Sequence, residues 1–221
     1  MLRGLFVTGT DTNVGKTVVA AALLCRYRRH LPLRYWKPIQ TGIEQDDDTA
    51  EVVRLASAAP GEVLNFGIRL TGPVSPHLAA SRSGVVIDPM HLISSLRNGA
   101  PPTCWVVEGA GGVLVPLNDS ETMADLMRGL GLVTVVVART SLGTINHTLL
   151  TLEALRRRTL RVAGVVMVGC RDRASRDAIE RYGETTVLAE MPRFEPLTPE
   201  QLAAWAESHL DPDGRLLDLL R

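Results

Sequence analysis

Short apolar runs alternate along the chain with stretches whose apolar residues recur at helical spacing. The runs are Leu5-Phe6-Val7, Tyr35-Trp36, Cys104-Trp105-Val106-Val107, Leu132 to Ala138, Val162 to Val168 and Thr186-Val187-Leu188. Unalternating and rich in β-branched residues, they predict strands covered on both faces. Between them the pattern predicts helices over Lys16–His30, Thr49–Ala58, Asp88–Asn98, Met123–Leu130, Thr148–Arg158, Ser175–Tyr182 and Pro199–His209. Such alternation builds an α/β fold, a doubly wound, mostly parallel sheet with helices on both faces. No internal repeat or low-complexity linker interrupts it, so residues 1–221 are expected to form a single domain, and the Pro/Gly-rich Leu70 to Pro76 reads as a functional loop. Open parallel sheets bind ligands beyond the carboxyl ends of their strands. The residues directly after each apolar run therefore carry the functional reading.

Composition narrows the classes. The 24 basic residues balance 24 acidic ones, so no chain-wide charge draws the protein to nucleic acid or anionic lipid. Aromatics make up only 4%, which leaves few base-stacking candidates, and Trp36, Trp105 and Trp205 fall in strand or helix patterns that assign them to the core. Cys25, Cys104 and Cys170 are odd in number, far apart and set among aliphatic residues. They are expected to be buried small hydrophobes in a reducing cytosol rather than a disulfide frame or a metal site. The first apolar run is too short for a signal sequence, and no run approaches the roughly 20 residues of a membrane span. The expectation is a soluble cytoplasmic protein without nucleic-acid or membrane partners.

The first strand runs into Gly9-Thr10-Asp11-Thr12-Asn13-Val14-Gly15-Lys16-Thr17, and an apolar-faced helix follows. Strand, Gly-rich loop, Gly-Lys-Thr and helix together make a phosphate loop: backbone N–H groups curl round a polyphosphate, Lys16 reaches its β and γ oxygens, and the Thr17 hydroxyl ligates Mg²⁺. The strict pattern has Gly where Thr10 stands, and here Gly9 comes one residue earlier. Next, Trp36-Lys37-Pro38-Ile39-Gln40-Thr41-Gly42 closes the second strand with an ammonium that can meet developing phosphoryl charge, the alternative being a solvated surface lysine. Val107-Glu108-Gly109-Ala110-Gly111-Gly112 ends a strand in a carboxylate suited to Mg²⁺, with a second acid from Asp46-Asp47-Asp48. That acidic run reads equally as a helix N-cap with a solvated face. Gly143-Thr144-Ile145-Asn146-His147, after the strongest strand, is either an anion site or an ordinary capped turn. Ser75-Pro76-His77 lacks the nucleophile elbow and acid partner of a hydrolase.

Taken in order, these motifs resemble the ATP-dependent dethiobiotin synthetases, from Met1 to about Pro192. The resemblance implies a homodimeric P-loop NTPase fold that closes a ureido ring on 7,8-diaminopelargonate with CO₂ or bicarbonate and MgATP, the penultimate step of biotin synthesis. By position it implies Lys37 and Lys16 as catalytic lysines, and Thr17, Asp48 and Glu108 as Mg²⁺ ligands. Asn13, Val14, Gly15, Lys16, Thr17, Val18, Asp48, Glu108, Gly109, Ala110, Gly111, Val168, Gly169, Pro192, Arg193 and Phe194 correspond to its nucleotide site. Thr12, Thr41 and Gly112 correspond to its substrate site, joined from across the dimer interface by Gly143, Thr144, Ile145 and Asn146. One departure stands out: many members end the strand matching Val162–Val168 in an Asn that reads adenine, where this chain has Val168-Gly169. Valine offers no donor or acceptor, so other nucleoside triphosphates are expected to be accepted alongside ATP.

Two rivals share the phosphate loop. A partitioning-type nucleotide switch would carry a signature lysine early in that loop, and Gly9 to Asn13 contains none. A cobyrinate-type amidoligase would carry a glutaminase domain for which 221 residues leave no room.

Overall fold

The computed structural model describes residues 2–99 and 103–220. Seven strands, β1 (Arg3–Gly9), β2 (Leu33–Trp36), β4 (Val63–Leu64), β6 (Cys104–Gly112), β7 (Val133–Arg139), β8 (Val162–Val168) and β9 (Val187–Met191), form one sheet in the order β4-β2-β6-β1-β7-β8-β9. Every pairing in it is parallel. Two three-residue strands, β3 (Ile39–Thr41) and β5 (Ile68–Leu70), pair in a separate ladder at its margin.

The helices are α1 (Lys16–Tyr27), α2 (Asp48–Ala56), α3 (Pro76–Ser83), α4 (Pro89–Gly99), α5 (Met123–Leu130), α6 (Thr144–Arg157), α7 (Arg173–Gly183), α8 (Pro199–His209) and α9 (Arg215–Leu220). Successive strand residues point to opposite faces, and the core divides accordingly. Leu5 and Val7 of β1 with Val133, Val135 and Val137 of β7 face a cluster built with α1, α2, α8 and α9. Phe6, Val136 and Ala138 face the other, built with α3 to α7. Both faces are covered, as the unalternating runs predict. Trp36, Trp105, Trp205 and Cys104 are buried, whereas Cys25 is only half-buried and Cys170, which follows β8 at the sheet's rim, is exposed, both contrary to expectation.

Some boundaries differ from those the pattern predicts. The first helix stops at Tyr27, before Leu31-Pro32, and the sixth begins at Thr144, four residues early. Gly143 adopts φ 92° as its N-cap, so Gly143 to Asn146 is the cap and opening turn of a helix. The polar Asn146 and His147 conceal that turn from an apolar-periodicity reading. Leu70 to Pro76 is in part structured, since β5 ends at Leu70 and Pro76 opens α3. The strands β3, β4 and β5 and the helix α9 are too short for periodicity to register.

Candidate active site

Three neighbouring strands, β2, β6 and β1, end at one edge of the sheet, and each delivers a functional group. β1 opens into the phosphate loop. Gly9 is the glycine this loop requires: a Cβ there would fall 2.7 Å from Val14 Cγ2 and 2.8 Å from the Asp11 carbonyl. This explains the displaced motif, because the close approach occurs at position 9 and leaves Thr10 free to carry a side chain. Gly15, at φ 98°, caps α1 without a side-chain hydrogen bond, and no acid stands in the helix's first turn. The helix N-terminus thus keeps the partial positive charge that favours an anion. Lys16 Nζ reaches back across the loop to the Asp11 carbonyl at 2.9 Å.

The β2–β6 register pairs Tyr35 with Val106 and Trp36 with Val107, and one further step sets Lys37 beside Glu108. Lys37 is accordingly 2% exposed rather than a surface lysine. Its Nζ lies 2.7 Å from Glu108 Oε1, 2.6 Å from Asp48 Oδ2 and 3.1 Å from the Gly109 carbonyl. Glu108, wholly buried, accepts from the Tyr35 hydroxyl through Oε2 at 2.8 Å. Thr17 Oγ1 lies 2.8 Å from Asp48 Oδ1 and 3.0 Å from Glu108 Oε1. Of the acidic run, Asp48 thus joins the cluster, Asp47 caps α2 by accepting from Ala50 N at 3.0 Å, and the Asp46 carbonyl takes Gln40 Nε2 at 2.6 Å.

Charges in this cluster shape one another. Burial opposes the Lys37 ammonium, but Glu108 and Asp48 outweigh it and hold its pKa above the ordinary value. Burial likewise opposes the Asp48 carboxylate, and Lys37 with Thr17 more than offsets it, keeping Asp48 below the usual range. For Lys16 the balance goes the other way: burial, aided by the neighbouring Lys37 charge, outweighs the support of Glu108, Asp48 and Asp11 and pulls it down to about 8. Burial and the Glu108 carboxylate push the Tyr35 phenol well up, so it remains a donor.

A cleft of about 920 Å³ opens over this edge. Thr12, Asn13, Gly15, Lys16, Thr17, Val18, Lys37, Thr41, Asp48, Glu108, Ala110 and Gly111 line it. Other candidates lie off it. Val14 is buried in the core, and Gly109 contributes its carbonyl from behind. Gly112 pairs with Gly9 between β6 and β1. Val168 packs against Gly15, where a Cβ would sit 3.2 Å from its Cγ1, and Gly169 N donates to the Met191 carbonyl at 2.9 Å. Pro192 and Arg193 are exposed beyond β9, while Phe194 packs edge-on against Trp205. In the first turn of α6, Thr144 is buried, Ile145 half-buried and Asn146 exposed. The sequence reading missed Tyr35 and the cleft-lining Gln40. Period-two alternation puts Tyr35 on the face of Lys37, which is the one signal available for it.

Thr17, Asp48 and Glu108 supply hard oxygen donors within a hydroxyl's reach of one another, the set Mg²⁺ prefers. The AAA domain family matches residues 3–201. The ATP-dependent dethiobiotin synthetase BioD of Paramagnetospirillum magneticum is 48% identical over 91% of this chain and 94% of its own length. That of Agrobacterium fabrum is 45% identical over 89% of each. This chain belongs to the ATP-dependent dethiobiotin synthetase family. Membership places it among the ATP-dependent ligases, and the synthetase family's P-loop fold recurs in more distant structures. A ParA family ATPase from Chlorobium tepidum superposes with a TM-score of 0.58 at 11% identity, over 93% of this chain and 98% of that one. The septum site-determining protein MinD of Pyrococcus horikoshii, complexed with Mg-ADP, gives 0.57 at 14% identity, over 100% and 95%. At that identity the likeness is one of fold alone. Among the described residues no helix is long and apolar enough to cross a membrane.

Proposed function

We propose that this synthetase closes the ureido ring of dethiobiotin from 7,8-diaminopelargonate, CO₂ and ATP, in the cytoplasm, within its single domain and as a homodimer. One observation carries the reading: the Lys37 ammonium is buried between Glu108 and Asp48 in the same cleft as the phosphate loop. One substrate amine adds to CO₂ to give a carbamate and a proton. A carbamate oxygen attacks the γ-phosphorus of ATP, releasing ADP and leaving a carbamic–phosphoric anhydride. The second amine attacks its carbonyl carbon, phosphate departs with the proton that the amine sheds, and the ring closes.

No nucleophilic side chain is needed, so the protein's work is positioning and charge neutralisation. Lys16 and the α1 N-terminus hold the triphosphate. Lys37 faces the oxygens whose charge passes from ATP to the carbamate, and a compact ammonium suits that task. Thr41 and Thr12, which line the cleft, would contact the diamine. Mg²⁺, held by Thr17, Asp48 and Glu108, would neutralise phosphate charge. The first turn of α6 stands apart from its own chain's cleft, in keeping with Gly143 to Asn146 serving the partner's substrate carboxylate.

Phosphate release by the purified protein should require both diaminopelargonate and bicarbonate. ATP turnover indifferent to both would favour the nucleotide-switch alternative.

Val168 presents only methyl groups beside the phosphate loop, so triphosphate contacts should supply most of the nucleotide's affinity. The values of kcat/KM for ATP, CTP, GTP and UTP are expected to lie within about 10-fold of one another, since no polar side chain at this position rejects a wrong base. Strong preference for ATP would show that another group reads adenine.

A further inference from the structure

Arg69, the central residue of β5, pairs with Gln40 of β3 behind the cleft. Its half-buried guanidinium donates from Nη1 to the Lys37 carbonyl at 2.8 Å and from Nη2 to Thr49 Oγ1 at 3.2 Å. A longer contact runs from Nη1 to the Ile68 carbonyl at 3.5 Å. The acceptors of these bonds are neutral oxygens, although arginine normally seeks a bidentate carboxylate. Its two principal partners are informative. Lys37 carries the buried ammonium, and Thr49 adjoins Asp48 in the first turn of α2, so one rigid fork ties the Lys37 backbone to a side chain next to Asp48, its partner in the 2.6 Å pair.

The approach is also shaped from below. A Cβ on Gly67 would stand 2.9 Å from both Arg69 Nη1 and the Lys37 carbonyl, and 2.8 Å from the Pro38 carbonyl. Only a residue without a side chain lets the guanidinium lie there. Gln40 reinforces the same junction by donating to the Asp46 carbonyl, two residues before Asp48.

We infer that Arg69 is a positioning residue for phosphoryl transfer, clamping Lys37 to the first turn of α2 so that the ammonium is held in line with the Asp48 carboxylate. The inference rests on the function proposed above. A lysine at position 69 would keep the charge but could not span two acceptors with a planar fork, so charge alone does not replace it.

Arg69→Met is expected to lower kcat about 10-fold or more, as a small misplacement of a reacting group does, with KM for ATP within about two-fold. The decisive readout is coupling to Lys37. In a Lys37→Gln background, adding Arg69→Met should cost less than about two-fold, because the group it positions is already gone. Arg69→Lys should recover little of the loss. Independently of catalysis, hydrogen exchange of segments 37–41 and 48–52 should accelerate in Arg69→Met while that of the phosphate loop stays unchanged. If Arg69→Met does not fold, Thr49→Val, which removes one acceptor, should show the same pattern more weakly. Additive losses, a rise in KM without a fall in kcat, or unchanged exchange in both segments would overturn the clamp. Wild-type turnover independent of the diamine would instead overturn the proposed function, and the exchange result would still decide the clamp.

Discussion

Lys37→Gln should lower kcat by about 10²-fold or more, the cost of removing one preorganised electrostatic donor. KM for ATP should change little, because the phosphate loop and Lys16 contact the nucleotide independently of this side chain. The neutral amide can still donate to Glu108 or Asp48, but not with a charge to both. Glu108, wholly buried, then keeps its charge without the ammonium beside it, so unfolding free energy should fall by about 3–5 kcal/mol, the cost of breaking a buried pair. Steady-state kinetics with saturating diamine and bicarbonate, together with thermal melting, check both. Near-normal turnover would remove Lys37 from the mechanism.

Glu108→Gln is expected to break the same buried pair from the other side. Its carboxylate is wholly buried and meets Tyr35, Lys37 and Thr17 at 2.8, 2.7 and 3.0 Å. Removing its charge leaves the Lys37 ammonium with the part-exposed Asp48 as its remaining anion, and breaking a buried pair costs about 3–5 kcal/mol. A lysine held above its ordinary pKa contributes stability that is fully present below about pH 10.4 and lost only as pH climbs through the raised value. The variant's deficit should therefore stay constant across neutral pH and narrow only in strong alkali. Denaturant melts between neutral and alkaline pH test this, and a deficit that vanished near neutrality would show Lys37 uncharged there. Activity should fall as well, since Glu108 is also a proposed metal ligand.

Much of this centre was legible because its chemistry depends on strand ends. Apolar runs located β1, β2 and β6, and Lys16 and Lys37 follow from asking what comes next in the chain, whereas Glu108, expected to end its strand, lies inside β6, which runs on through the glycines to Gly112. What escaped was contributed sideways. Tyr35 sits inside an apolar run, where its hydroxyl gives no periodic signal, and its role arises from the register of β2 against β6. Arg69 lies in a three-residue strand whose pairing with β3 no local pattern reveals. The acidic run itself does not separate Asp48 from Asp46 and Asp47, and only the resemblance points to it; the start of α2 at Asp48 makes Asp47 the cap and turns Asp48 inward. Gly143 to Asn146 read as a turn because the opening of α6 is polar, and helix starts marked by a left-handed glycine leave little trace in hydropathy.

Lys16, Lys37 and Glu108 issue from three adjoining parallel strands whose flanks are packed on both sides. The Lys37–Glu108 pair is consequently held as firmly as the sheet itself, whereas Lys16 depends on the loop from Thr10 to Gly15. On the function proposed above, variation in what the enzyme accepts would enter through the periphery, at Val168, at the stretch after β9 and at the start of α6. Anyone wishing to redirect its appetite has those margins to rewrite while the chemistry is left alone.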